Sequence, residues 1–371
     1  MSTLILTCDT GEGHNSCAKA IKERYDAHGQ ECEIINPVQF VSERFSEFVT
    51  KVHIVIYRKF PNLFRVGYAY VNSHSKFTAK GSLPYNILAR GVDQLYAYIL
   101  EKEITSLICV HPLLMMMVTA LQDKYAPECL TAFVATDYTR SPGLTDSNPD
   151  FCFIPDASLL EEFTCTHIDV SRIIPVGIPV RKQFYEKTDK TLAKKKLGIS
   201  ETADHILMMC GSMGCGPLEE ILELLSKHSG FHITVVCGNN KELHGSLAEK
   251  YARNQSVHIQ GFVSNMSELM DSAELFVTKP GGLSSTEAAV KHLPAVYINT
   301  VGGCENNNLH FFTERGCAVA VDTASQAVES CLRFIRDAKI RKRMETMIDQ
   351  FPVCDGAEAI WKTMEGAAHG R

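Results

Sequence analysis

The chain is expected to fold as an α/β protein of two doubly wound, Rossmann-like domains, and three observations lead there. Short apolar runs alternate with helical patterns almost from end to end, as parallel sheets built from strand-helix-strand units require. The alternation restarts after Pro175-Val176-Gly177-Ile178-Pro179-Val180, whose two prolines and glycine suit a hinge. Each half also carries a glycine-rich loop after its first strand, Gly11-Glu12-Gly13-His14 in one and Gly211-Ser212-Met213-Gly214-Cys215-Gly216-Pro217 in the other. Such sheets bind ligands at the carboxyl ends of their strands, so two domains facing a central cleft would bring both loops to it.

Taken in order, the apolar runs predict strands at 4–8, 33–36, 107–110, 132–135, 151–154 and 173–176 in the first half. In the second half they predict strands at 206–210, 233–237, 257–260, 275–277, 295–298 and 318–321, with helices between. A length of 371 residues suits two or three domains. With 45% hydrophobic and 22% charged residues, the composition excludes disorder, collagen and a coiled-coil rod. No apolar run approaches the roughly 18 residues that cross a bilayer. The opening Met1-Ser2-Thr3-Leu4-Ile5-Leu6 lacks a basic leader and a cleavage site, so a cytoplasmic protein is expected. Fourteen cysteines without a Cys-x-x-Cys pair suit buried, reduced thiols, and fourteen histidines without His-Glu-x-x-His speak against a zinc hydrolase.

Charge is unevenly distributed. The formal net charge is −6, yet residues 41–91 hold eight Lys/Arg against Glu43 and Glu47 and are rich in Phe and Tyr. Phe45, Phe48, Val49, Val52, Ile56 and Phe60 fall close to i, i+3, i+4 spacing, while Arg44, Lys51, Arg58 and Lys59 can approach anionic headgroups. The same pattern fits a helix packed on its own domain with a solvated charged face. A nucleic-acid surface ranks lower, because no recognised binding module accompanies it.

Three segments carry candidate chemistry. After the first strand, Asp9-Thr10-Gly11-Glu12-Gly13-His14 leads into a helix expected to begin near Asn15, with glycines where another molecule can approach the backbone. His14 at that helix N-terminus would stay neutral near pH 7, as a proton acceptor must, although a surface histidine in a turn gives the same spacing. The strongest signal is Thr278-Lys279-Pro280-Gly281-Gly282-Leu283-Ser284-Ser285-Thr286-Glu287, between an apolar strand and a helix. Backbone N–H groups around Gly282 to Ser285 suit a diphosphate, Ser284 and Ser285 add hydroxyl donors, and Glu287 can accept both hydroxyls of a ribose. A capping box with Ser284 as N-cap and Glu287 three residues on explains those two residues but not the Lys-Pro-Gly-Gly run. Downstream, Gly302-Gly303-Cys304-Glu305-Asn306-Asn307-Asn308 reads as a polar loop able to hydrogen-bond sugar hydroxyls, or as an ordinary loop leading to a helix near His310. Asp137 and His111 also stand at strand ends, where a structural role is the commoner one.

Together these segments resemble the family of monogalactosyldiacylglycerol synthases and processive diacylglycerol glucosyltransferases, related to the lipid-linked N-acetylglucosaminyltransferase of peptidoglycan synthesis. The resemblance runs through Asp9 to His14, His111-Pro112, Thr136-Asp137-Tyr138, Gly177-Ile178-Pro179-Val180, Gly211 to Pro217, Val236-Cys237-Gly238-Asn239-Asn240, Gly261-Phe262-Val263, Lys279 to Ala288 and Gly303 to Asn308. It implies a GT-B fold, with an N-terminal acceptor and membrane-docking domain at 1–176 and a C-terminal UDP-sugar domain at 177–351. A C-terminal helix at 352–371 is expected to pack back on the first.

The implied reaction is inverting transfer of glucose or galactose from a UDP-sugar to diacylglycerol or a related lipid hydroxyl, with no cofactor and no obligatory metal. Its place is the inner face of the membrane, at an anionic surface, without nucleic acid. Carried over by position, His14 matches the base and Asp137 is a second catalytic candidate, and Gly13 and His111 fall on the acceptor side with Phe45, Phe48, Lys51, Arg58, Lys59 and Phe60. Gly281, Gly282, Ser284 and Ser285 fall on the diphosphate, Gly261 and Phe262 on the uracil, Glu287 on the ribose, Gly211 and Ser212 on the UDP site at large, and Cys304, Glu305 and Asn308 on the sugar. Three places depart from the family pattern: Glu12 where a third glycine or small residue is common, Cys304 where many members have Gln, and Arg140-Ser141-Pro142 after Asp137. Transfer to another hydrophobic acceptor, epimerisation of a UDP-sugar, and binding of one without turnover are the alternatives.

Overall fold

The computed structural model describes residues 2–9, 11–144, 146–164, 167–214, 216–298, 302–352 and 354–369, apart from the side chains at 57–59, 61 and 75. The chain divides into two compact units, Met1–Arg181 with Val301–Cys304 and Cys354–Arg371, and Lys182–Thr300 with Glu305–Val353.

The first unit is built on a parallel sheet of β1 (Ser2–Leu6), β2 (Glu31–Ile35), β3 (Ile104–Cys109), β4 (Leu130–Val134), β5 (Phe151–Ile154) and β6 (Ile173–Pro175), in the order β2-β1-β3-β4-β5-β6. Successive side chains of a strand leave on opposite faces. Leu4 and Leu6 therefore join Leu107, Cys109 and Phe133 in one core, and Ile5 joins Ile108, Ala132 and Val134 in the other. The first core is closed by Leu114 to Leu121 of the helix Pro112–Tyr125. The second is closed by Cys17, Ile21 and Tyr25 of α1 (Glu12–Ala27) and by Ile360 and Met364 of the C-terminal helix Gly356–His369. That helix is held to α1 by an Arg24–Asp355 ion pair, by Trp361 stacked on His28 at 3.4 Å, and by Trp361 Nε1 donating to Gln30.

The second unit repeats the plan with β7 (Asp204–Met209), β8 (Phe231–Val236), β9 (Val257–Gln260), β10 (Leu275–Thr278), β11 (Ala295–Ile298) and β12 (Ala318–Val321), ordered β12-β11-β10-β7-β8-β9. Every residue of β8, β10 and β11 is buried, as parallel strands covered on both faces must be.

All the expected strands are present, but several begin and end earlier than the apolar runs do. Ser2 pairs with Glu31 although neither is apolar. Cys8, Val110, Ala135, Cys210 and Cys237 are buried beyond the last strand residue, so their apolar character reports burial rather than pairing. The basic, aromatic stretch forms α2 (Glu43–Lys59) and α3 (Pro61–Ser73), joined at Phe60 with Pro61 at the first helical position. No helix among the described residues is long and apolar enough to cross a membrane, and the described cysteines are free thiols.

Candidate functional site

In both sheets the strand order reverses beside the first strand, between β1 and β3 in one and between β7 and β10 in the other. At such a switch point neighbouring crossovers lie on opposite faces and leave a crevice beyond the strand ends. The candidate residues of each unit gather there.

In the first unit the crevice holds His14, His111 and Asp137. α1 begins at Glu12, three residues before the expected start, so His14 lies inside the first turn rather than ahead of it. Its N-cap, Gly11, is in extended backbone at φ 173°, and Gly13 is helical, so neither glycine serves a left-handed turn. A Cβ at either would meet no atom within 4 Å beyond its chain neighbours. His14 Nδ1 lies 2.8 Å from the carbonyl oxygen of Val110, just beyond β3, and 3.1 Å from Thr136 Oγ1. A carbonyl only accepts, so Nδ1 carries the proton and Nε2 of the neutral ring carries the lone pair. Burial pushes the His14 pKa below its ordinary value, against the opposing pull of the Asp137 carboxylate and the Val110 bond.

His111 is buried with its ring centroid 4.5 Å from that of His14. It caps the next helix by accepting the Leu113 N–H at Nδ1, so its neutral ring holds its proton on Nε2. Burial first, then the neighbouring His14 and His53, hold its pKa well below the usual histidine range. The two neutral rings thus hold their protons on different nitrogens, Nδ1 in His14 and Nε2 in His111.

In the second unit the loop after β7 and the loop after β10 meet. Gly211, at φ 68°, lies under the stem of Lys279, whose Cε is 2.7 Å from where a Cβ would stand. Gly214 and Gly238 have positive φ as well, and their missing Cβ atoms allow the 211–214 and 237–240 turns to interlock through Asn239 N to Ser212 O and Asn240 Nδ2 to Gly214 O. The helix Gly282–Val290 takes Gly281 as its N-cap, without a side-chain cap. The capping box proposed for Ser284 and Glu287 is therefore not formed. The first intrahelical bond runs from Ser285 N to Gly281 O, so the N–H groups of Gly282, Leu283 and Ser284 have no acceptor within the helix. Ser285 and Glu287 are buried and Ser284 is half-buried. Gly261 follows β9, and beside it Phe262 is 63% exposed.

The Gly302 to Asn308 segment is not a loop throughout, because a helix, Cys304–Glu314, begins inside it. Glu305 is ion-paired with Lys279, and Asn308, fully buried, donates to the Pro280 carbonyl at 3.1 Å. Both side chains hold the turn that precedes the Gly282 helix.

Of the expected docking residues, Phe48 and Phe60 are 62% and 54% exposed, and Lys51 is exposed in an ion pair with Glu47 at 2.9 Å. Phe45 is a correction: it packs against the first core rather than facing outward. The side chains of Arg58 and Lys59 lie outside the described residues. Sequence reasoning missed Tyr68 of α3. No local motif marks it, and only the fold brings it to Gly303.

Residues 14–180 match the model of monogalactosyldiacylglycerol (MGDG) synthase, and residues 205–358 match the glycosyltransferase family 28 C-terminal domain. The processive diacylglycerol beta-glucosyltransferase of Bacillus subtilis is 27% identical over 363 residues, 96% of this chain and 93% of its own. That of Staphylococcus carnosus is 26% identical over 297 residues, 76% of each chain. Among solved structures, MurG of Acinetobacter baumannii superimposes with a TM-score of 0.62 at 10% identity, covering 98% of this chain and 99% of its own. The glycosyltransferase of kitacinnamycin gives 0.66 at 13% identity and 98% coverage of both. These structural likenesses establish the two-domain GT-B fold.

Proposed function

Because this chain belongs to the family of monogalactosyldiacylglycerol synthases and processive diacylglycerol glucosyltransferases, and is thereby a UDP-sugar-dependent hexosyltransferase acting on lipid, we propose that it moves glucose or galactose onto the free hydroxyl of diacylglycerol with inversion at the anomeric carbon. The observation that supports this most is the tautomer of His14. With Nδ1–H committed to Val110, Nε2 is left to take the acceptor proton. As the proton passes to Nε2, the acceptor oxygen bonds the anomeric carbon, and the bond from that carbon to the phosphate oxygen breaks with its electron pair leaving on UDP. Asp137 stabilises the imidazolium that forms, and the proton is later lost to water.

On the donor side, the start of the Gly282 helix offers N–H groups and the positive end of its dipole to the diphosphate, with Gly281, Ser284 and Ser285 around it and Gly211 and Ser212 opposite. That fixed positive field supports transfer without an obligatory metal. Gly261 and Phe262 meet the uracil and Glu287 the ribose, while Cys304 and Glu305 serve the sugar and Asn308 acts through Pro280. The exposed apolar residues of α2 and α3, with the local basic charge, dock the enzyme on an anionic bilayer.

His14→Ala should lower turnover by about 10²–10⁴-fold, the usual loss for a positioned general base. UDP affinity by calorimetry should stay near that of the parent, since the base touches only the acceptor. An unchanged rate would refute the assignment.

A further inference from the structure

α3 has two faces of different character. Phe64, Arg65 and Tyr68 lie along one side, by their spacing of one, three and four residues. Leu63, Val66 and Tyr70, spaced by three and four, lie along the opposite side and are 58%, 63% and 53% exposed. The first side reaches the turn that leads into Cys304. A Cβ on Gly302 would stand 2.5 Å from Arg65 Cγ, and one on Gly303 would stand 2.6 Å from the Tyr68 ring. Both glycines have positive φ, 87° and 67°. Two adjacent glycines therefore let two α3 side chains settle onto the backbone, and Gly302 to Cys304 group with the first unit accordingly.

The same side of the helix faces the catalytic corner. Phe64 neighbours Tyr68 at 6.4 Å and meets the His53 ring edge-on at 5.7 Å, and His53 acts electrostatically on His111. The Tyr68 phenol is kept protonated by burial, and after that by Cys304, Asp137 and Glu162 around it.

We propose that Tyr68 is an acceptor-positioning residue, its ring seated on Gly303 and forming the wall that guides a lipid hydroxyl to His14. It is carried by the helix whose other face, Leu63, Val66 and Tyr70, engages the lipid surface. The inference rests on the reading of the His14 corner as the acceptor site. It goes beyond that reading in tying lipid docking to acceptor choice: with the wall in place the hexose goes to lipid, and without it water competes.

The test is two-substrate kinetics on the full chain, with UDP-hexose and diacylglycerol in vesicles, measuring both glycolipid and free hexose. For Tyr68→Ala, kcat/KM for diacylglycerol should fall on the order of ten- to a hundred-fold, the scale of a misplaced reactant. The share of hexose released to water should rise, and the affinity for UDP, which lacks the hexose assigned to Cys304, should stay within about twofold by calorimetry. Tyr68→Phe, which keeps the ring on Gly303, should recover most of the acceptor kcat/KM. If the alanine variant does not fold, Tyr68→Leu takes its place in the same comparison. Unchanged acceptor kinetics, a phenylalanine variant as damaged as alanine, or an equal loss of UDP affinity overturns the proposal while the parent enzyme still makes glycolipid. Failure of the parent to transfer sugar to any lipid overturns both this proposal and the reading beneath it.

Discussion

The role proposed for His14 requires a neutral ring, and the geometry fixes the direction in which pH should act. Burial lowers its pKa from the ordinary histidine value near 6.5, and Asp137 partly restores it. The acid limb of kcat/KM should therefore lie below pH 6.5, with activity falling as pH drops through the depressed value. Replacing Asp137 by Asn removes the charge that favours imidazolium, so the limb should move to still lower pH while the maximal rate declines. A pH–rate profile of Asp137→Asn shifted upward would contradict this pairing. His14 stood out in the sequence because it follows a strand and a glycine pair. Its hydrogen bond to Val110 did not, because the two are 96 residues apart and meet only when β1 and β3 pair. Tyr68 was hidden for the same reason.

At the scale of elements, strands were legible where a short apolar run is buried on both faces or nearly so, as at Phe151–Ile154 and Ala295–Ile298. Helix starts were not. α1 and the Gly282 helix both begin at or just after a glycine without a side-chain cap, so the usual Ser, Thr or Asp signal pointed a few residues too late.

The α2–α3 pair carries a prediction of its own. Charge is felt over about 8 Å at physiological salt, so the local basic excess should draw these helices to anionic vesicles despite the acidic remainder. Replacing Lys51, Arg58 and Lys59 with Gln should weaken sedimentation with such vesicles by up to about 3 kcal/mol at low salt, near 1 kcal/mol per charge. Replacing Leu63 and Val66 with Ser should remove the binding that survives high salt. Unchanged sedimentation in both variants would make this an ordinary solvated surface.

The sheet of the second unit has a different sensitivity. His205 and His232 pair side by side on β7 and β8, with the ring of His258 from β9 4.2 Å from that of His232. His205 is hydrogen-bonded to Ser272 and Thr234. Burial pulls the pKa of His205 down to about 3 and that of His232 to about 4. Unfolded histidines take up protons near 6.5, so between that pH and about 4 the unfolded chain binds more protons and stability falls with pH. The urea midpoint should drop from pH 7 to pH 5, and His232→Gln should flatten that drop. An identical slope in the variant would argue against the histidine row as its source.

Across the whole molecule, the account is that two sheets built on one plan each use their switch point, one for a proton acceptor and one for a diphosphate. The alternation of short apolar runs announced both sheets, and the glycine-rich loops marked the crevices. The grouping of residues 301–304 with the first unit had no counterpart in periodicity or composition. The central claim, transfer of a hexose from UDP to diacylglycerol, is tested most directly by mass spectrometry of lipids after incubation with UDP-glucose and UDP-galactose. The incubation uses anionic vesicles containing diacylglycerol, with EDTA present. The account predicts a hexosyl-diacylglycerol that forms under chelation and disappears in His14→Ala. A UDP-sugar epimerised without acceptor, or bound with no lipid product, would contradict it.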